Sequence, residues 1–258
     1  MTLLRQFRRY LIRRQPFPEG WLEILNHHVS FYRYLPEELR SELRVHMPIF
    51  LQEKLFEGCG GLEMTEKMRV IIAAYATLLI LGEPAGYYPD LKAILLYPND
   101  YIAEVDEEDE AGIVTEGYDL RSGESWSLGS IVLSWRDIER DLRSPFRGGN
   151  LIIHEFAHQL DAHYGLSTGF DEVGKIHSRT PWNQVLAASY IELRRASERG
   201  EQTLLDPYGA TLPAEFFAVA TECFFEQGRH LREQDPALYR QLRDFYKLDP
   251  ATYLPVSD

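Results

Sequence analysis

The amino-acid sequence predicts an α+β chain, mostly helical, with a small mixed β-sheet. Three observations carry this. Apolar residues recur at helical spacing before residue 82 and again after residue 150. The stretch between reads as short strands bounded by Pro, Asn and Gly, so helices and strands are segregated along the chain. Finally, 258 residues at 45% hydrophobic and 26% charged are an ordinary globular composition, long enough to bury a sizeable core.

The first 14 residues carry five arginines and no acid, with Leu3, Leu4, Phe7, Leu11 and Ile12 interleaved. The spacing fits a short amphipathic helix of the kind that meets an anionic membrane or a partner. Such a helix is marginal alone, so residues 1–16 are expected to be a mobile basic segment. Pro16, Pro18 and Gly20 set it off from residues 17–258, expected to form one domain. Its helical part reaches to about residue 85, and the part from about residue 86 carries the chemistry.

Trp21 to Tyr34 is helical, with Leu22, Leu25, Val29 and Tyr32 on one stripe. Pro36 breaks it, and the acids Glu37 and Glu38 open a new helix that runs to about Phe56. Gly58, Gly60 and Gly61 end that stretch, and Thr65 caps a helix over Glu66–Ile80. The strands are Ala93–Tyr97, Ile113–Tyr118 and Gly129–Trp135. Glu104–Glu110 holds six acids in seven residues and is expected as a solvated loop, since it lacks the glycine-punctuated spacing of a calcium loop.

Several function classes fall away. Two cysteines, Cys59 and Cys223, make no disulfide framework, which suits a reducing compartment. The net charge is −13, and without the five arginines of the head the body stands at −18, which repels phosphate backbones and disfavours direct nucleic-acid binding. The best apolar run, Val70–Leu81, is well short of the roughly 20 residues of a membrane span. The N-terminal stretch has no continuous apolar core of a secretory signal, so the expected location is cytoplasmic.

One segment concentrates the chemistry. Asn150-Leu-Ile-Ile-His154-Glu155-Phe-Ala-His158-Gln-Leu-Asp161 reads H-E-x-x-H on a helix, with Asn150 as N-cap and Gly165 as C-cap. Residues four apart share a helix face, so two imidazoles there can bind one Zn²⁺. Glu155 is rotated off that line and can reach the metal's water as general base. Catalytic zinc wants a third protein ligand and one open position. Glu215, on a phenylalanine-rich helix opened by Pro213 and ended by Gly228, is the candidate, and Glu222 its competitor on the same face. Glu222 and Asp161 are alternatively groups that orient a ligand histidine or make ordinary ion pairs. His163 and His177 do not complete a three-histidine pattern, because positions 161 and 164 are Asp and Tyr. His27, His28, His46 and His230 stand outside any motif, and Cys223 reads as a small buried residue. Gly165-Leu-Ser167-Thr-Gly169 matches a serine-hydrolase elbow, but a helix precedes it where a strand is required. Ser167–Thr180 is a candidate cover for the cleft.

These residues resemble the Mlc titration factor A family of gluzincin zinc metallopeptidases, related in their catalytic core to anthrax lethal factor. The resemblance extends from about Leu35 to Pro250 and is most specific in NLIIHEFAHQLDAHYG (150–165) and DPYGATLPAEFFAVATECFFE (206–226). It implies a zincin-like fold around the H-E-x-x-H helix, with His154, His158 and Glu215 on one catalytic zinc and Glu155 as base. It implies Tyr208 as hydrogen-bond donor to the oxyanion, and Gly129–Trp135 as the edge strand that pairs with an extended peptide. The implied activity is aminopeptidase-like peptide hydrolysis. The implied partner is a transcriptional repressor of the Mlc type, which regulates the glucose phosphotransferase system. A non-catalytic protein that sequesters such a repressor is the alternative. Thermolysin-like gluzincins have an aspartate four residues after the ligand glutamate, where this chain has Val219; whether Glu222 or Asp161 substitutes is open at this level.

Overall fold

The computed structural model describes residues 3–82, 86–99, 103–108, 114–119 and 129–255. The chain runs α1 (Leu3–Arg13), α2 (Glu19–His28), a 3₁₀ turn (Ser30–Arg33), α3 (Glu37–Glu53), β1 (Leu55–Gly58) and α4 (Glu66–Leu78). Four strands follow, β2 (Ala93–Tyr97), β3 (Ala103–Glu108), β4 (Val114–Asp119) and β5 (Ser130–Ser134). Then come α5 (Trp135–Arg143), α6 (Leu151–Tyr164), α7 (Pro181–Glu198), a 3₁₀ turn (Pro207–Ala210), α8 (Pro213–Glu226), α9 (Gly228–Gln234), α10 (Pro236–Tyr246) and a last 3₁₀ turn (Pro250–Thr252). The architecture is mostly helical α+β, as the sequence predicts.

The strands correct the expectation of one mixed sheet. β1, β2 and β5 form a three-stranded parallel sheet with β2 in the middle, while β3 and β4 pair only with each other, antiparallel. β3 and β4 form a local ladder from Ala103↔Asp119 to Glu108↔Val114, so the chain leaves β2 and returns as its parallel neighbour β5. Residues 104–108 therefore lie in a strand and not in the expected loop. β1 is the strand the sequence does not predict, since the third helix is expected to reach Phe56. Its ladder is closed by Leu55 N–H donating to the Lys92 carbonyl at 3.0 Å and Cys59 N–H to that of Leu96 at 2.8 Å. Lys54, buried beside it, donates to the carbonyls of Tyr88 and Leu91.

α4 is buried on every face from Val70 to Leu78, the all-round burial expected of its apolar run. Thr65 caps it by accepting from Met68 N–H at 3.3 Å. Among the described residues, no helix is long and apolar enough to cross a membrane. The Trp21–Tyr34 helix is shorter than expected, ending at His28 and continuing as the 3₁₀ turn, with Leu25, Val29 and Tyr32 buried as the stripe requires. α8 stops at Glu226, and Gly228 opens α9 instead of ending α8.

Residues 3–13, expected as part of a solvated terminus, form a helix docked on α3. Arg5 and Arg9 both bind the Glu53 carboxylate, at 2.6 Å each, and Ile12 is buried. Glu53 supplies the tertiary partner that a marginal helix lacks by itself.

The core joins the two helical parts. Phe156 of α6 packs edge-on against Tyr88 and Phe50, and Phe216 and Phe217 of α8 meet Tyr190 and Trp182 of α7. α6 and α8 pack side by side, each with most of its length buried.

Candidate metal centre

α6 starts where the sequence places it. Asn150 Oδ1 accepts from Ile153 N–H at 3.1 Å, and Gly165 ends the helix in the left-handed region at φ 65°. The N-terminal amides are further held by carboxylates. Asp141 accepts from Leu151 N–H at 2.9 Å, Glu222 from Asn150 N–H at 2.5 Å, and Glu226 from Phe146 N–H and from the Asn150 side chain. Acids at a helix N-terminus complement its dipole. Glu226 escapes the sequence reading, although it lies one turn after Glu222 in an otherwise apolar helix, which is a signal for a carboxylate with a buried partner.

α6 and α8 bring three of the predicted residues to one point. His154 Nε2 lies 3.1 Å from His158 Nε2 and 3.1 Å from Glu215 Oε2, and His158 Nε2 lies 3.3 Å from Glu215 Oε2. Three donors held at about 2.0–2.1 Å from a common tetrahedral centre are roughly 3.3–3.4 Å apart, so this triangle has the size of one face of a four-coordinate metal site. Among the described residues, His154, His158 and Glu215 are the group that could hold a metal ion.

The charges fit the same conclusion. Burial pushes His158 far below its usual range, and the neighbouring positive His154 adds to this. Burial also disfavours charge on His154, but the carboxylates of Glu215 and Glu222 overcome it and raise the group. Two imidazoles thus compete for one positive charge between them. A dication on the shared Nε2 side serves both without a proton. Glu155, buried one residue from His154, is pushed well above the usual carboxylate range by burial, against the pull of His154 and with the push of Glu215 and Glu222.

The structure separates the two acids expected to orient a histidine of this group. Glu222 Oε1 lies 2.7 Å from His154 Nδ1, a contact that suits a proton on Nδ1 and turns Nε2 toward His158 and Glu215. Asp161 points elsewhere: it accepts from Ser167 N–H at 2.7 Å and Ser167 Oγ at 2.5 Å. Those bonds make Gly165–Gly169 a helix-closing turn and occupy Ser167, so no serine elbow exists there. Val219, four residues after Glu215, is an apolar part of the cavity wall.

Tyr208 sits in the 3₁₀ turn before α8, its ring centroid 6.2 Å from that of His154 and its surface about half exposed at 48%. Asp206 starts the turn by accepting from Tyr208 N–H at 2.8 Å. Gly209 lets the turn close on α8, because a Cβ there would meet the Val219 side chain at 3.1 Å. Tyr208, His154 and Glu222 line an open cavity of about 690 Å³, whose other walls include Arg140, Asp141, Arg147 and Asp206. No residue of 167–180 lines it. That segment folds back through a Phe170–Ile176 bridge and binds α7 through Tyr190 Oη on the Glu172 carbonyl, so it is not the cover expected for the cleft.

The remaining histidines lie away from the centre. His163 pairs with Asp90 at 2.9 Å, His177 faces Asp171 at 3.6 Å, and His46 is buried against Tyr87 Oη. Cys223 is buried and Cys59 half-buried, both as thiols.

Comparison with known proteins adds lineage to geometry. Residues 3–247 match the family described as glucose-regulated metallo-peptidase M90. An uncharacterised protein of Synechocystis sp. is 38% identical over 238 residues, covering 92% of this chain and 86% of that protein. Proteins named Mlc titration factor A are similar as well. The one from Serratia proteamaculans is 34% identical over 223 residues, covering 85% of this chain and 84% of its own. The one from Pectobacterium atrosepticum is 34% identical over 223 residues, with 85% and 83% covered.

Proposed function

The chain belongs to the glucose-regulated metallo-peptidase M90 family, and from that premise we propose that it is a zinc-dependent, aminopeptidase-like metallopeptidase of zincin-like fold. In this reading residues 17–258 act as one catalytic domain, and His154, His158 and Glu215 hold one zinc ion. The observation that carries it is the 3.1–3.3 Å triangle of their donor atoms, built on two buried helices. Two imidazoles and one carboxylate are a donor set that suits catalytic zinc.

When bound, zinc supplies a Lewis acid that polarises the scissile carbonyl and acidifies water. The chain's own residues do the rest. Glu155 takes the proton from the attacking water and delivers it to the leaving amine. Tyr208 donates its phenolic hydrogen to the oxyanion that forms as the carbonyl is attacked. Glu222 fixes the His154 ring through Nδ1. β5, at one edge of the parallel sheet, is the strand along which the peptide extends.

The cavity supports short substrates with free ends. On its walls Asp206 is the chemistry that receives an N-terminal ammonium and Arg147 the chemistry that receives a carboxylate, while Asp141 and Arg140 are already bound to each other. The setting is cytoplasmic. A second reading rests on the printed name of the relatives, Mlc titration factor A: binding of an Mlc-type transcriptional repressor, with or without turnover.

Hydrolysis of alanyl and N-blocked peptide substrates separates the readings, run beside Glu155→Gln and a metal-stripped sample. Cleavage of the unblocked substrate alone, lost in both controls, is expected. A fully metallated protein that cleaves neither substrate would leave the repressor-binding reading in its place.

A further inference from the structure

α1 is turned inside out relative to an ordinary surface helix. Its docked face carries Arg5, Arg9 and Ile12, with Arg9 buried against Glu53 and its guanidinium 4.4 Å from the Tyr87 ring centre. Its outward face carries Leu3, Leu4, Phe7, Tyr10 and Leu11, which are 85%, 79%, 58%, 52% and 47% exposed. At 100° per residue these five fall on one arc, opposite the docked side. Arg8 and Arg14 are exposed around that arc, while Arg13 turns back to Tyr87 on the docked side. The first 14 residues hold no acid, and Glu53 offsets one of their five positive charges.

We propose that the outward face of α1 docks this protein on an anionic lipid bilayer. The apolar arc enters the headgroup boundary while Arg8 and Arg14 meet lipid phosphates. Binding of this kind grows with buried apolar area and with attraction to anionic lipid. Charge decides between a bilayer and a second copy of the chain. Two α1 helices face to face would bring two acid-free arginine clusters together, whereas a negative surface complements both the arginines and the apolar residues between them. Size points the same way, since a stable protein interface engages about 20–30 residues a side and this face offers five large ones. The body at −18 is repelled by the same surface, so the helix would hold the protein peripherally and reversibly. This inference does not depend on the metal centre.

The test is co-sedimentation of the full chain with vesicles of phosphatidylcholine alone and of phosphatidylcholine with about 30% phosphatidylserine. Binding at least about tenfold tighter to the anionic vesicles, weakening as salt rises, is expected. Leu4→Glu with Phe7→Glu changes only exposed side chains and is expected to abolish sedimentation while the circular dichroism spectrum stays unchanged. Arg8→Gln with Arg14→Gln is expected to weaken it by about tenfold or more. Equal binding of wild type and Leu4→Glu/Phe7→Glu, or no binding to either vesicle, would overturn the proposal. So would a dimer in sedimentation velocity that Phe7→Glu dissolves without any vesicle binding, which assigns the face to a second copy.

Discussion

Two clusters in this molecule join carboxylates to basic side chains, and they do so in opposite ways. At the α1–α3 junction, Glu53 meets two guanidiniums, each at 2.6 Å. The cations are permanent, so Glu53 needs no partner from outside, and they hold it down at about 2 although burial alone would raise it. At the α6–α8 junction, Glu215 meets two imidazoles that burial discourages from carrying charge. Three donor atoms converge there with no permanent cation among them. A cluster that already holds its own cations fixes a helix; a converging one asks for an ion from outside.

Substitutions at the converging cluster have the largest expected effects. His158→Ala or Glu215→Ala removes one of three donors, and elemental analysis is expected to show loss of bound metal together with all turnover. Full metal occupancy in both variants would break the contrast. Glu155→Gln is expected to keep metal and fold while kcat falls by about 10²–10⁴. Glu222→Gln is expected to weaken metal binding by about 10–100-fold in competition with a chelator. Asp161→Asn, which touches only the turn at Ser167, is expected to leave metal affinity unchanged and to cost about 1–2 kcal/mol of stability in urea unfolding.

The arginine-held cluster gives the smallest and most local effect, and its pH sign follows from Glu53. Its folded-state pKa is depressed, so its stabilisation is present above the unfolded carboxylate value of about 4.5 and is lost as pH falls toward about 2. Limited proteolysis after residues 1–14 is expected to rise across that window, and Glu53→Gln is expected to produce the same release at neutral pH. Peptide turnover in Glu53→Gln is expected to stay near wild type. A loss of turnover matching that of Glu155→Gln would mean that the two clusters are coupled.

What could be read ahead differs between the regions for one physical reason. α6 is specified locally. Asn150 and Gly165 act within one turn of the backbone they cap, and the interval of four between His154 and His158 fixes their common face whatever surrounds them. The apolar run of α4 likewise announces its burial. β1 is not specified locally: a four-residue stretch with Leu55 at 60% exposure becomes a strand only because β2, 38 positions away in register, accepts it. The docking of α1 has the same origin, since Glu53 lies 44 residues from Arg9.

The sequence by itself determined the helical character of the chain, the two-histidine face of α6, Glu155 beside it and Glu215 as a candidate on a second helix. Tertiary structure decided which carboxylates complete the cluster and which do not. Glu215 and Glu222 lie seven residues apart on one helix face, equivalent by pattern. Packing of α8 along α6 sets one at the Nε2 side of His154, at 3.1 Å, and the other at its Nδ1 side, at 2.7 Å. It also left Asp161 to its own turn. Spacing in a helix sets direction, but only the placement of a second element sets distance, and a metal ligand is defined by distance.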